Sequence, residues 1–363
     1  MTSLAWSLSA TEWHGFAGQG LVYTSDNGFF DQDSGWSGEY TELGLSLAQD
    51  LGNRTRLAGQ VLYRQAGDNY DQGFKLDYLF LDWRPQLGEG ELALQLGRIK
   101  NQAWLYSAFQ DTPVARPGIF MPQSVYPDGL RSMSLGLDGI SLGYGANTEL
   151  GRMALSFAYG KPPISDNAER TIFGDLNSRE LKANSSRYWL LDWQTPGQQF
   201  EFKLSWLAGD FDHKASPPGP LSDGNVKMEF LTGSMIYSRE QWELTLELMK
   251  RHFRAWRVFP AVVPSEVDAE LGYIQLRRII SPRLSVFGRF DYINMDTSVS
   301  AANYDQTKDY TLGLNWQFNA NWQLRAEYHW VDGVTWIPPL VRLDARGLEE
   351  NWQMGAVQLI YAF

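Results

Sequence analysis

Apolar side chains occupy every second position through most of this chain. Leu244, Leu246 and Leu248 share one phase, while Glu243, Thr245 and Glu247 share the other. Trp322, Leu324, Ala326, Tyr328 and Trp330 alternate with Gln323, Arg325, Glu327 and His329. Phe200, Phe202, Leu204 and Trp206 alternate with Glu201, Lys203 and Ser205, and the closing stretch repeats the scheme with Val357, Leu359, Tyr361 and Phe363. Successive side chains of a strand point to opposite faces, so a period of two marks a sheet with one apolar and one polar face. Read this way, the chain divides into about sixteen strands: 14–25, 37–49, 54–64, 73–84, 91–100, 138–145, 151–160, 183–194, 199–209, 226–238, 241–252, 266–277, 283–292, 306–317, 321–331 and 351–363.

The connections alternate as well. Short links at 50–53, 85–90, 146–150, 195–198, 239–240, 279–282 and 318–320 take turns with long ones at 26–36, 65–72, 101–137, 161–182, 210–225, 253–265, 293–305 and 332–350. Both termini then fall on the short-turn side. Backbone within hydrocarbon must pair all its polar groups, so a sheet there must close on itself. The pattern therefore predicts an all-β fold: a transmembrane antiparallel barrel, most simply of sixteen strands, with short periplasmic turns and long external loops. Residues 1–13 read as an N-terminal extension and 14–363 as one barrel domain. The phase breaks around Asp82, Arg98 and Ile274, where bulges, a subunit interface or different strand boundaries would each account for it.

Composition narrows the picture. No run approaches the roughly 18 apolar residues of a helical span. Aromatic residues make up 14% of the chain, more than a soluble core needs and suited to girdles at two membrane interfaces. Mean hydropathy is −0.34, as expected if half of each strand faces water. A soluble β-sandwich or β-solenoid would also alternate, but it would not carry large aromatics on its outer face, and no compact repeat period is present. With no cysteine, the chain has no disulfides, thiolate nucleophiles or sulfur-ligated metals. The net charge of −11 disfavours a nucleic-acid partner, which calls for a basic face. The opening MTSLAWSLSA lacks the basic start and apolar core of a signal peptide, so an exported protein would be numbered here as a mature or recombinant chain.

The longest connection, 101–137, carries Pro113, Pro117, Pro122 and Pro127 among Trp104, Phe109, Phe120 and Tyr126. Proline fixes φ and lacks a donor, so this segment should be irregular and stiff. Non-helical backbone at membrane depth must line a cavity or be buried in protein, and this loop is the candidate for folding inward to narrow a channel. Arg116, Asp128 and Arg131 would be its charged contributors; the bland alternative is a loop packed over the rim. Inward strand positions would supply the remaining lumen: Arg54, Arg56 and Arg64 on the third strand, Lys75 and Asp77 on the next, then Arg289 with Asp291 and Arg325 with Glu327. Charge rings select ions in a narrow lumen, and arginine holds carboxylate or phosphate through two parallel bonds.

A basic cluster of Lys250, Arg251, His252, Arg254 and Arg257 lies beside Phe253, Trp256 and Phe259, where a strand should leave the membrane. It would bind lipid headgroup phosphates, guide anionic solutes to the mouth, or form a merely solvated rim. Enzyme signatures are thin: no HExxH, Walker loop, GxSxG or GxGxxG stands in its required context. The acidic runs at Asp210, Asp212 and His213 and at Asp26, Asp31 and Asp33 offer oxygen ligands of the kind calcium takes. They lack the spacing of a calcium loop, so exposed acidic loops are the plainer expectation, and no cofactor is implied.

Several segments carry a family likeness: HGFAGQGLVYTSDNGFF (14–30), AQDLGNRTRLAGQVLYRQAGD (48–68), LDYLFLDWRP (76–85), LGRIKNQAWLY (96–106) and RPGIFMPQSVYPDGLR (116–131). With the terminal aromatic, these resemble a group of porin-like outer-membrane proteins of Gram-negative bacteria, and more distantly the sixteen-stranded trimeric porins. The likeness covers roughly the first 160 residues by motif and the remainder by strand pattern. It implies passive diffusion of small hydrophilic or charged solutes across the outer membrane, an inward third loop, a homotrimer, and contact with outer-membrane lipids and lipopolysaccharide. No catalytic residue is carried over. Gln102 and Ala103 stand where related chains have a small residue and proline, which leaves the start of the inward loop open. A phosphate-type ladder of inward arginines and lysines is not established. Competing readings are a loop-plugged barrel serving adhesion or assembly, and a soluble β-rich binding protein.

Overall fold

A computed structural model describes residues 11–70, 72–174, 176, 178–260, 265–296, 305–338 and 347–363. Sixteen strands follow one another in the chain. The first four are β1 (Glu12–Thr24), β2 (Gly35–Gly52), β3 (Thr55–Ala66) and β4 (Gly73–Trp83). Next come β5 (Gly90–Lys100), β6 (Gly136–Thr148), β7 (Gly151–Lys161) and β8 (Ser178–Gln194). The third group is β9 (Phe200–Ala215), β10 (Gly224–Arg239), β11 (Trp242–Trp256) and β12 (Glu266–Ser281). The last is β13 (Leu284–Asp296), β14 (Gln306–Gln317), β15 (Trp322–Gly333) and β16 (Asn351–Ala362). Beyond Pro85, the pair Gln86–Leu87 continues β4 and meets Glu91 and Gly90 of β5.

Each strand pairs antiparallel with its neighbours in sequence. β16 returns to β1, in register from Phe16–Ala362 to Thr24–Met354, so the sheet closes and no edge remains. Phe363 extends this seam, exchanging two backbone hydrogen bonds of 3.0 Å with Gly15. The expected all-β barrel and its alternation of short and long connections are both present. β1 begins two residues before the expected barrel start at 14, and residues 1–10 of the expected extension lie outside the described residues.

The outer face is apolar. Leu244, Leu246 and Leu248 point outward between Trp242 and Lys250, with Met235 and Ile274 flanking Leu246 across the ladder. Aromatic side chains border this band at both ends: Trp13, Trp83, Trp242, Trp316 and Trp322 toward the short turns, and Trp36, Phe74, Tyr310 and Trp330 toward the long loops. Such girdles suit amphipathic rings at a bilayer's two interfaces.

The phase irregularities resolve individually. In β4 the register slips between Gln60 and Val61, leaving Asp77 as an extra residue. Leu76 and Leu79 thus both face out, and Asp82 keeps its inward place. Ile274 lies on the outward phase of β12, between buried Tyr273 and Gln275. Arg98 also faces outward, and its charge is met by a two-bond pair with Asp138 across the strands, at 2.6 and 2.8 Å.

Candidate functional site

The connection from Asn101 to Leu135 folds into the barrel, and most of its side chains are buried. It leaves β5, reaches β11, returns to β4 and β5, crosses to β2 and β15, and comes back by way of β13 and β3 to a short helix, α1 (Arg131–Leu135). Prolines keep it from making regular hydrogen bonds of its own, so the barrel wall must satisfy its backbone. Glu327 accepts from the amides of Ile119 and Phe120, and Arg325 donates to the carbonyls of Gly118 (2.9 Å) and Val114 (3.2 Å). Arg289 donates to Phe120 O at 3.1 Å, and Asn315 donates to Pro117 O at 3.2 Å. Asp291 accepts from Ser124 N at 3.3 Å. Glu247 gathers Leu105 N, Tyr126 Oη and Ser234 Oγ at 3.0, 2.7 and 2.9 Å. A Cβ at Gly118 would stand 2.0 Å from a Glu327 oxygen, so a larger residue there would displace the carboxylate that holds the loop.

Along β2 to β5 the contacts are ionic. Arg116 grips Glu42 with two bonds of 3.1 and 2.5 Å, and Gln358 supports the same carboxylate at 2.8 Å. Arg64 bridges Glu42 (3.5 Å) and Asp128 (3.1 Å). Arg131 reaches Asp128 at 3.0 Å and Asp111 at 2.6 Å. Asp111 also faces Lys100 (3.4 Å) and Lys75 (3.6 Å), while Lys100 binds Asp77 at 2.6 Å. Apart from Lys75, none of these side chains is more than 9% exposed. Burial alone would raise the pKa of Asp111, but Arg131, Lys75 and Lys100 hold its carboxyl well below the ordinary aspartate range.

The three expected loop residues therefore come together inside the barrel, where they clamp the loop to β2 and β3. Arg64, Lys75 and Asp77 join this clamp, and Arg289, Asp291, Arg325 and Glu327 bind the loop's backbone. Arg54 departs from the expectation: it lies in the β2–β3 turn, exposed and outside the strand. Arg56 stays exposed near the short-turn mouth, paired with Glu12 and Asp50. Glu42, Lys100, Asp111, Glu247, Asp309 and His329 escaped the sequence reading. Glu42 and Glu247 stand on a visible inward phase, but their partners belong to the inner loop, whose path periodicity does not give; Asp111 lies in that loop, and Asp309 and His329 pair across adjacent strands. His329 lies between Asp309 Oδ2 (2.9 Å) and Glu327 Oε2 (3.3 Å).

The basic cluster is not a patch of one sign. Because β11 continues to Trp256, alternation divides it between two faces. Outside, Lys250 meets Glu270, His252 meets Asp268 and Arg254 meets Glu266, at 3.4, 2.7 and 2.8 Å. Arg257 stacks on Trp256, 4.1 Å from the ring centroid. Arg251 alone points inward. Asp210 and Asp212, expected in a loop, lie on β9, and Asp210 accepts from Asn184 and Asn225. Asp31 accepts from Asp68 N. Among the described residues no group of three His, Cys, Asp or Glu side chains could hold a metal.

The inward face is not uniformly wet either. Toward the long loops, Phe29, Phe30, Tyr40, Tyr70, Phe120, Trp336 and Trp352 form a buried aromatic core, with Tyr40 stacked on Phe120 at 5.6 Å. A second helix, α2 (Asp166–Phe173), covers the end of the third loop, with Thr171 against Gly129. Toward the short turns lies a chamber of about 360 Å³. Ala93, Ser141, Gly143, Ala154 and Ser156 give it a smooth wall, and Arg84, Glu91, Arg152, Asp192 and Glu201 give it mixed charge. Phe109 and Val114 of the inner loop are half-exposed, at 52% and 41%.

A closed sixteen-stranded antiparallel barrel with its third long connection inside is the fold of the outer-membrane porins. The chain is similar to OmpT of Vibrio cholerae at 11% identity and a TM-score of 0.62, covering 97% of each chain. The outer-membrane channel DcaP of Acinetobacter baumannii gives the same identity, coverage and TM-score. An anion-selective porin from Comamonas acidovorans matches at 14% identity and TM-score 0.60, covering 98% of this chain and 99% of the other. No protein-family model and no curated protein sequence matches the chain.

Proposed function

We propose that the chain is an outer-membrane porin through which small hydrophilic or charged solutes diffuse passively. The observation that carries this reading is the closed sheet: apolar and aromatic outside, charged inside, with an irregular loop held at membrane depth by wall side chains. A backbone so exposed to hydrocarbon would be intolerable, whereas inside a polar-lined barrel it is satisfied. Solutes would pass the smooth wall of β5–β7 beside the third loop, and no chemical step is assigned to any residue. The family likeness and the trimer form in which OmpT has been solved support a homotrimer, with lipopolysaccharide and lipid around it.

The depth to which the third loop and α2 fill the barrel favours one second reading, a plugged barrel with a structural role. Purified, detergent-folded protein in planar bilayers separates the two. Stepwise conductance is expected. A folded barrel that gives no steps at any salt concentration would remove the diffusion reading and leave the plug.

A further inference from the structure

The inward-facing guanidiniums deep in the barrel nearly all have work within it. Arg64, Arg116 and Arg131 meet carboxylates, and Arg289 and Arg325 donate to loop carbonyls. Arg251 does not. It faces inward from β11 at the level where the outer face has already turned charged, between Phe230 of β10 and Ala269 of β12 in register. Among the described residues no carboxylate stands within ion-pair distance. Its one hydrogen bond runs from Nη2 to the Met295 thioether at 3.1 Å, and its Nε is buried without an acceptor. A guanidinium carries five donors, and a thioether sulfur is a weak acceptor. The side chain is part-buried, and leaving such a charge without an anion costs free energy that a bound anion would recover.

We infer that Arg251 is a binding residue for an anionic solute in the outer half of the barrel, taking a carboxylate attached to an apolar body. The charge supplies the carboxylate's partner through parallel N–H bonds. Phe230, Ala269 and Met295 supply an apolar surround that would gain nothing from a fully hydrated inorganic ion. Phe230 also packs edge-on against Trp104 of the inner loop, with ring centroids 5.5 Å apart, so a solute held here sits directly against the loop that narrows the passage. The site deepens the diffusion reading by naming its solute class, but binding does not itself require conduction.

The test uses sodium benzoate, with sodium chloride at matched ionic strength, on the folded full-length barrel in detergent. Thermal unfolding of the wild type should shift upward with benzoate, while Arg251→Gln should show no such shift, because only a ligand that binds the folded state stabilises it. Without benzoate the variant should be at least as stable as the wild type, since it removes an unpaired charge. Arg251→Lys, which keeps the charge but loses the fork, should bind benzoate roughly tenfold more weakly, as losing one charge-assisted hydrogen bond implies. Equal shifts in wild type and Arg251→Gln, or none in either, would overturn the assignment. So would a loss of stability in Arg251→Gln without benzoate, which would make the residue a brace. A protein that binds benzoate yet conducts nothing would reject the diffusion reading and leave this site standing.

Discussion

Asp111 shows what a single residue does in this barrel. It is buried, and three cations converge on it from the loop and from two strands. Removing one member of such a group leaves the others as uncompensated buried charges, at a cost of about 3–5 kcal/mol. Asp111→Asn should therefore destabilise the folded barrel by that order in denaturant titration. The pH dependence has a definite sign. The carboxyl's pKa is lower when folded than its unfolded value of about 3.9, so its contribution is present above that pH and is lost as pH falls toward the folded value. The stability gap between wild type and Asp111→Asn should stay level from pH 8 to 5 and narrow below roughly pH 4. A gap that persists undiminished at pH 2 would show that the charge is not what Asp111 contributes. Sequence made the charges of Arg116, Asp128 and Arg131 legible as features of an inward loop. It could not reveal that they close on Glu42, Arg64 and Asp111, because pairing at that distance along the chain follows from the loop's path.

At the scale of elements, strand alternation gave all sixteen spans to within a few residues in most cases, since a one-residue slip would turn the whole apolar face toward water. Errors fell where another rule took over. The loop-side ends of β9 and β11 carry charged side chains on the outward face, Asp210, Asp212 and Lys214 on one and Lys250, His252 and Arg254 on the other, so the reading ended those two strands early and placed Asp210 and Arg254 in loops. At Asp77 a bulge resets the phase, which periodicity registers only as noise. The third loop was legible through its prolines, which forbid both helix and sheet at that length. Its deletion is the corresponding prediction. Replacing 113–127 by a short flexible link removes the contacts to Glu327, Arg289, Asp291 and Glu247 but leaves the strand ladder intact. Single-channel conductance should rise severalfold in bilayers. Unchanged conductance and ion selectivity, in a barrel that still assembles, would show that the loop does not set the passage.

For the whole molecule, everything depends on which side of the closed sheet meets hydrocarbon. Leu246 lies between Trp242 and Lys250 on the outer face of β11, with Met235 and Ile274 beside it. If lipid covers this band, an arginine at Leu246 must be held near the bilayer midplane, costing about 2–4 kcal/mol, and near the interface only about 0–1. Glu229 offers the matched control. It points outward on the adjacent strand, in register with His252, where paired charges already face solvent. Leu246→Arg should lower the unfolding free energy in lipid vesicles by the larger amount, and Glu229→Arg should leave it nearly unchanged. In detergent-free buffer neither wild type nor variant should remain dispersed. Equal costs for the two substitutions in vesicles would mean that water, not hydrocarbon, surrounds the aromatic-bordered face. The inward charges would then need another explanation than a passage across a membrane.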